Sequence, residues 1–299
     1  MDILKCKAFI YSVDSGSFSL AGEKLGYTPS GITRMVNALE DEMGFPLLIR
    51  SHSGVTLNED GKKIIPFIRE IIYEYEKMIQ IKNEIKGLSV GNLTIGTYSS
   101  VAICWLPEII KRFEKDYPNI KINILEGGNS YLMEILENKI ADLCFLSECE
   151  MDFQWIPLKK DELVVWLPYN HPKSKDKSFP IKELNNAPFI KTLPNKNTDI
   201  ERLFIRENIK ANIKFTTVDN YSTYAMVSAG LGISLNNKLM SKNWSGNVVT
   251  LPFEPPQYIT LGIALPSLEG ASLATRKFID YTKKYLKDEN TTKEHQIEK

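Results

Sequence analysis

The stretch Ser17-Phe18-Ser19-Leu20-Ala21-Gly22-Glu23-Lys24-Leu25-Gly26-Tyr27-Thr28-Pro29-Ser30-Gly31-Ile32-Thr33-Arg34 holds two helix starts and one helix stop in close succession. Ser19 is placed to cap a first helix, and Gly26 can take the positive φ that ends it. Thr28 can cap a second helix, with Pro29 at its first helical position. Two helices joined by so tight a turn have the mechanics of a helix-turn-helix. The periodicity of the second sends Ile32, Val36 and Leu39 inward and leaves Ser30, Gly31, Thr33, Arg34 and Asn37 outward. Small polar residues at the helix start let the backbone approach base edges. Arg34 can fork onto a guanine or a phosphate, and Thr33 can bond a base or touch a thymine methyl. A small helical hairpin with a solvated polar face has the same spacing. Local charge does not choose between the two, because Glu40, Asp41 and Glu42 follow on the same helix.

Working outward, Leu4, Phe9, Ile10 and Val13 form the apolar stripe of a preceding helix. After the quoted stretch, Leu47 to Ile49 and Val55 to Leu57 flank Arg50-Ser51-His52-Ser53-Gly54, which predicts a hairpin wing whose tip enters the minor groove through Arg50 or His52. From Glu59 to Lys86, apolar residues at Ile64, Ile68, Ile71, Tyr75, Met78 and Ile85 step by fours and threes. Ile65, Ile72 and Ile79 recur at sevens. That stripe predicts one helix, roughly 40 Å long, pairing with a second copy of itself, with Pro66 in its first turns and Gly87 and Gly91 ending it.

Beyond Asn92 the texture becomes strand and helix in alternation, as in parallel α/β sheets. Strands are expected at 93–98, 120–126, 141–146, 163–167, 189–190, 213–218, 232–235 and 259–265, and helices at 102–117, 130–138, 198–208, 220–229 and 271–287. The polar tail after Asp288 reads as loose. The division is therefore 1–58 for a DNA-binding domain, 59–88 for a linker and dimerisation helix, and 89–299 for a two-lobed α/β domain. Its lobe I covers about 89–161 and 266–288, and lobe II about 162–265.

The 299 residues are 43% hydrophobic and 25% charged, with 37 Lys+Arg against 37 Asp+Glu. Zero net charge excludes a polybasic nucleic-acid-coating protein while leaving room for a local DNA-reading face. No apolar run suits a membrane span and no signal peptide precedes the first helix, so the expectation is a cytoplasmic protein without membrane attachment. Four scattered cysteines, Cys6, Cys104, Cys144 and Cys149, fit reduced thiols better than a disulfide framework.

Phe9, Val13, Gly16 to Ser19, Ala21, Leu25, Thr28 to Arg34, Leu39-Glu40, Gly44, Leu47, Arg50 and Leu57 to Gly61 together resemble the winged helix-turn-helix of the LysR-type transcriptional regulators. The resemblance runs through the long helix and over the whole chain. It implies a regulatory domain similar to type 2 periplasmic binding proteins. This sequence departs from the family pattern by glycine for alanine at Gly22 and Gly31, Pro29 for glutamine, Ser53 for a second wing arginine, and Asn58-Glu59-Asp60-Gly61 for Thr-x-Ala-Gly. By the resemblance, DNA-binding residues are Thr28, Pro29, Ser30, Gly31, Thr33, Arg34, Asn37, Arg50 and His52. The partners it implies are double-stranded operator DNA, RNA polymerase, a small-molecule effector with anions among the candidates, and further copies in a homodimer or homotetramer.

The resemblance places the effector between the lobes, against strand ends and helix starts. Carried onto this chain, the candidates are Thr97, Ser99, Ser100, Gly128, Asn129 and Phe145 in the first lobe and Thr192, Asn220 and Tyr221 in the second. Free N–H groups there attract anions, although each such residue can equally be a plain helix cap. Asn236-Asn237 stands where the family has Leu-Pro. Family members that sense peroxide keep reactive cysteines in the second lobe, where this chain has none. His52, His171 and His295 are the only histidines, none placed to serve Ser99, and no phosphate loop or hydrolase motif occurs, so no catalytic residue, metal or cofactor is expected. The rival reading is a solute-binding or carrier module whose N-terminal helices only dimerise.

Overall fold

The computed structural model describes residues 1–51, 54–86, 90–192, 198–241, 244 and 246–297. It divides into two compact units, one of Met1–Leu88 with Asn138–Ile140 and one of Ser89–Glu137 with Ala141–Lys299.

In the first unit, helix α1 (Ile3–Ser15) is capped by Asp2 and stopped by Gly16 at φ 65°. Helix α2 (Phe18–Leu25) is capped by Ser17 and not by Ser19. Ser17 has the extended backbone a cap needs and accepts from the Leu20 N–H at 3.4 Å, whereas Ser19 already lies inside the first turn. Gly26 closes α2 at φ 75°. Gly22 lies under the turn: a Cβ there would meet the Tyr27 carbonyl oxygen at 2.5 Å, and the Tyr27 N–H donates to the Gly22 carbonyl at 2.9 Å. Helix α3 (Pro29–Met43) starts on Thr28, whose hydroxyl accepts from the Gly31 N–H at 3.2 Å. Strands β1 (Leu48–Ser51) and β2 (Gly54–Leu57) pair antiparallel, Leu48 opposite Leu57. Helix α4 (Glu59–Ile85) begins on Asn58. Pro66 lies in its interior, beyond the first turn, so the Lys62 carbonyl loses a helical donor. Phe9, Ile32, Val36, Leu39 and Leu47 are fully buried, and Ile65 and Ile68 of α4 close over them.

The second unit continues with β3 (Gly91–Thr97), α5 (Ser99–Cys104), α6 (Leu106–Asp116), β4 (Ile120–Glu126), α7 (Asn129–Glu137), β5 (Leu143–Ser147) and β6 (Gln154–Pro168). Then come β7 (Phe179–Pro180), a 3-10 turn, β8 (Pro188–Thr192), α8 (Asp199–Glu207), β9 (Asn212–Thr217), α9 (Asn220–Ser228), β10 (Ser234–Asn237), α10 (Lys238–Ser241), β11 (Val248–Leu265) and α11 (Leu273–Ile297). The expected helix 102–117 is two helices, because Pro107 has no N–H to give the preceding turn and the chain restarts around Trp105. The expected loose tail is helical to Ile297, since no glycine or proline interrupts it.

The main sheet runs β10-β6-β11-β5-β3-β4 and is mixed: β3 is parallel to β4 and β5, while β11 is antiparallel to β5 and β6. Strands β6 and β11, read from sequence only as 163–167 and 259–265, are 15 and 18 residues long and pass from one lobe into the other. Leu261 to Ala264 pair with β5 in the first lobe. Val248 to Pro252 pair with the far end of β6, beside β10, in the second. One core gathers Trp105, Phe113, Phe145, Ile263 and Phe278, and the other Val165, Leu167, Phe179, Phe189 and Phe253. Among the described residues no helix is long and apolar enough to cross a membrane.

Candidate functional site

Two surfaces carry the residues singled out from the sequence. On the first unit, Ser30, Arg34 and Asn37 are exposed along α3, and Gly31 and Thr33 are half-exposed. Ser30 Oγ shares a hydrogen bond of 3.1 Å with Thr28 Oγ1, and Thr33 donates to the Pro29 carbonyl at 2.9 Å. These short bonds turn the hydroxyls back onto the helix start and fix where they stand. Pro29, Ser30, Thr33, Arg50 and Gly54 border one concave face between the start of α3 and the wing. Arg34 has no ion pair or hydrogen bond among the described residues.

Arg50 differs. Its guanidinium donates to Glu40 Oε2 at 2.6 Å and lies 5.5 Å from the Phe18 ring centroid. Glu40 also accepts from the backbone N–H of Leu47 at 2.7 Å and of Leu48 at 3.1 Å. Glu40 therefore ties α3 to the first wing strand. Lys24 lies 4.1 Å from the Tyr11 ring, and Lys62 and Lys63 pair with Glu59 and Asp60. His52 lies outside the described residues.

The second surface is a cavity of ≈ 90 Å³ between the lobes of the second unit. Ser99 and Ser100 at the start of α5, Gly127, Gly128 and Asn129 at the start of α7, Thr192 at the end of β8 and Asn220 at the start of α9 all line it. Three expected residues stand elsewhere. Thr97 is buried and donates to the Tyr98 carbonyl at 3.1 Å. Phe145 belongs to the first-lobe core, its ring 6.5 Å from that of Phe278. Tyr221 is 72% exposed, against Trp244.

The structure adds Asp199 and Arg202, which the sequence reading left out of the site, and bonds them to Tyr98, Asn129 and Ser147. The Tyr98 hydroxyl donates to Asn129 and shares a hydrogen bond of 3.1 Å with Ser147 Oγ. Asn129 Nδ2 donates to Ser147 Oγ at 3.1 Å, and Ser147 Oγ donates to Asp199 Oδ1 at 2.7 Å. Arg202 donates to Ser147 Oγ at 2.7 Å and pairs with Asp199. Strand β5 of the first lobe is thereby joined to α8 of the second. Burial pushes the Asp199 carboxyl above its ordinary range, against the opposing pull of Arg202. Burial likewise raises the Tyr98 phenol, with Asp199 adding to it. An Asp and an Arg three apart at a predicted helix start are visible in the sequence, but their reach to Ser147 is not.

The cysteines are all free. Cys144 is fully buried, its thiol pushed up by that burial, and it donates to the Leu132 carbonyl at 3.4 Å. Cys149 lies 3.7 Å from Met133 Sδ, and Cys104 donates to the Leu239 carbonyl at 3.3 Å. Among the described residues no three His, Cys, Asp or Glu side chains are grouped to hold a metal ion.

The model for the bacterial regulatory helix-turn-helix protein of the lysR family matches residues 4–62, and that for the LysR substrate binding domain matches residues 86–287. The HTH-type transcriptional regulator YvbU of Bacillus subtilis is 30% identical over 95% of this chain and 98% of its own length. The transcriptional activator CmpR of Synechocystis is 25% identical over 89% of this chain and 90% of its own. Full-length OxyR from Pseudomonas aeruginosa shares the fold with a TM-score of 0.72 at 21% identity, covering 96% of this chain and 94% of that one. The chain belongs to the LysR family of transcriptional regulators, with an N-terminal helix-turn-helix for DNA and a two-lobed effector-binding domain.

Proposed function

We propose that the start of α3, through Thr28, Pro29, Ser30, Gly31, Thr33, Arg34 and Asn37, reads operator DNA in a major groove, and that a small molecule in the inter-lobe cavity modulates that binding or the activation that follows. The observation that carries this reading is the pairing pattern of the two arginines. Among the described residues Arg34 stands exposed and without a partner on the outward face of α3, whereas Arg50 is tied to Glu40. A base-reading arginine has to be free to fork onto a guanine edge. Arg50 and His52 complete the set as wing residues at the adjacent groove. The functional division is 1–58 for DNA, 59–88 for the linker helix and 89–299 for the effector domain.

The chain acts as a homodimer or homotetramer, in the cytoplasm, with RNA polymerase as the downstream partner and without catalytic activity of its own. Support for pairing comes from α4, which leaves Phe67 at 68%, Met78 at 54% and Ile85 at 82% exposed. An apolar stripe of that kind suits a second copy of the same helix.

The test is fluorescence anisotropy of the full-length protein on DNA from upstream of its own gene against scrambled DNA, at two salt concentrations. The wild type is expected to prefer the upstream DNA by about tenfold or more, and Arg34→Ala to lose that preference. Equal, weak binding to both DNAs, unchanged by Arg34→Ala and accompanied by no enrichment in a genome-wide selection, would favour the solute-binding module instead.

A further inference from the structure

We propose that the inter-lobe cavity takes a small α-amino acid, with its ammonium group on the Asp199 carboxylate, its carboxylate toward Ser100 and the start of α7, and its side chain against Leu163, Leu235 and Met240. The inference rests on reading this cavity as the effector site.

Ser100 is 3% exposed, lines the cavity, and its hydroxyl has no hydrogen-bond partner among the described residues. That hydroxyl is open to the cavity, where a ligand can meet it. Asp199 is the acid on the described wall, and that wall holds no Lys, Arg or His; Arg202, which pairs with Asp199, is not part of it. An ammonium finds a carboxylate acceptor, and charge-assisted bonds are the strong ones.

The spacing of the polar groups narrows the class further. Asn129 and Asp199 both hydrogen-bond the same Ser147 Oγ, at 3.1 and 2.7 Å. The Asn129 side chain at the start of α7 and the carboxylate of Asp199 are thus separated by one hydroxyl. An α-amino acid carries its carboxylate and ammonium on one carbon and can engage both, whereas a ligand with distant charges cannot. Leu163, Leu235 and Met240 give the rest of the wall an apolar character suited to a short side chain. The cavity of ≈ 90 Å³ has room for an amino acid of alanine or serine size.

The test is calorimetric titration of the full-length protein with L-alanine, L-serine, L-lactate and succinate, alongside a thermal-shift screen of unrelated neutral metabolites. L-Lactate replaces the ammonium of alanine by a hydroxyl. L-Alanine or L-serine is expected to bind, and L-lactate to bind at least about tenfold more weakly. Asp199→Asn should erase that preference, and Ser100→Ala should weaken the amino acid. The comparison of alanine with lactate on the wild type does not depend on either variant folding. Failure of every amino acid to bind, or equal or tighter binding of lactate or succinate, overturns the proposal. If a non-amine ligand binds and Ser100→Ala weakens it, the cavity remains the effector site and only the amino-acid assignment falls. If ligands bind without sensitivity to Ser100→Ala or Asp199→Asn, both readings fall.

Discussion

The outward face of α3 and the inter-lobe cavity treat their polar groups in opposite ways. Among the described residues, Arg34 and Asn37 of α3 are exposed without partners, and the hydroxyls of Thr28, Ser30 and Thr33 bond within their own turn. At the cavity, Tyr98, Asn129 and Asp199 of its wall are bonded, together with Ser147 and Arg202 outside that wall, into one network across elements distant in sequence. The difference follows from solvent. An exposed group keeps water until a partner displaces it, so it can wait unpaired at little cost. A buried one has to be satisfied inside the protein. The face for a polyanion is therefore built by placing side chains on a rigid helix, and the pocket for a small molecule by arranging bonds that a ligand can join or exchange.

The rigidity half of that contrast can be broken by hollowing the core beneath α3. Ile32 is fully buried, one residue from Thr33. Ile32→Ala is expected to cost about 2–5 kcal/mol of the winged unit's stability, read by urea denaturation, and to abolish operator binding where half the molecules have unfolded. Binding that survives at full strength would mean the face does not depend on its core.

Gly22→Ala is the next largest change. Its Cβ would meet the Tyr27 carbonyl oxygen at 2.5 Å, so the turn between α2 and α3 has to move. A loss of about 1–3 kcal/mol is expected, with weaker discrimination between operator and scrambled DNA. An unchanged melting curve would show that this turn already has the slack to accommodate a methyl group.

Glu40→Gln keeps the shape but removes the charge that holds Arg50 and the Leu47 and Leu48 N–H groups. About 1 kcal/mol is expected, seen as faster amide exchange at Leu47 and Leu48. Arg50→Ala should flatten the salt dependence of DNA binding less than Arg34→Ala does, because Arg50 already has an acidic partner. Equal slopes would place both arginines on phosphates.

The smallest effect concerns the cavity. Burial raises the Asp199 carboxyl above its ordinary value of 3.8, so its ionisation opposes folding. The stability that the neutral acid contributes is whole below 3.8 and is lost as pH rises through the raised folded value. Asp199→Asn should remove that decline, which stability measured against pH in that window would show. A steeper decline in the variant would mean that Arg202 outweighs burial.

Much of the recognition face was legible because its signals are local. Thr28 before Pro29, and Gly26 at the end of the preceding helix, state their roles through backbone geometry alone. Even there, Ser19 was read as the cap, and the extended backbone two residues earlier makes Ser17 the cap instead. The start of α4 at Glu59 was legible too, on the Asn58 cap, but Pro66 lies past the first four N–H groups, the ones with no helical partner to lose. In the effector domain, alternation placed strand ends and helix starts well enough to find Ser99, Ser100, Gly128, Asn129, Thr192 and Asn220 on the cavity wall. Phe145 went to the core because β5 presses it on Phe278 of α11, a contact no short-range pattern reveals.

The sequence by itself determined what short-range rules govern: the capped helices of the winged unit, the apolar stripe of α4, the order of strands and helices, and the family to which they belong. Tertiary structure alone decided which polar groups meet. That β11 returns antiparallel between β5 and β6, that Glu40 clamps the wing, and that Ser147 joins Asn129 to Asp199 are all pairings between residues far apart in the chain. The physical reason is that caps and periodicity are fixed by backbone geometry within a few residues, whereas the satisfaction of a buried polar group depends on whatever folding brings beside it.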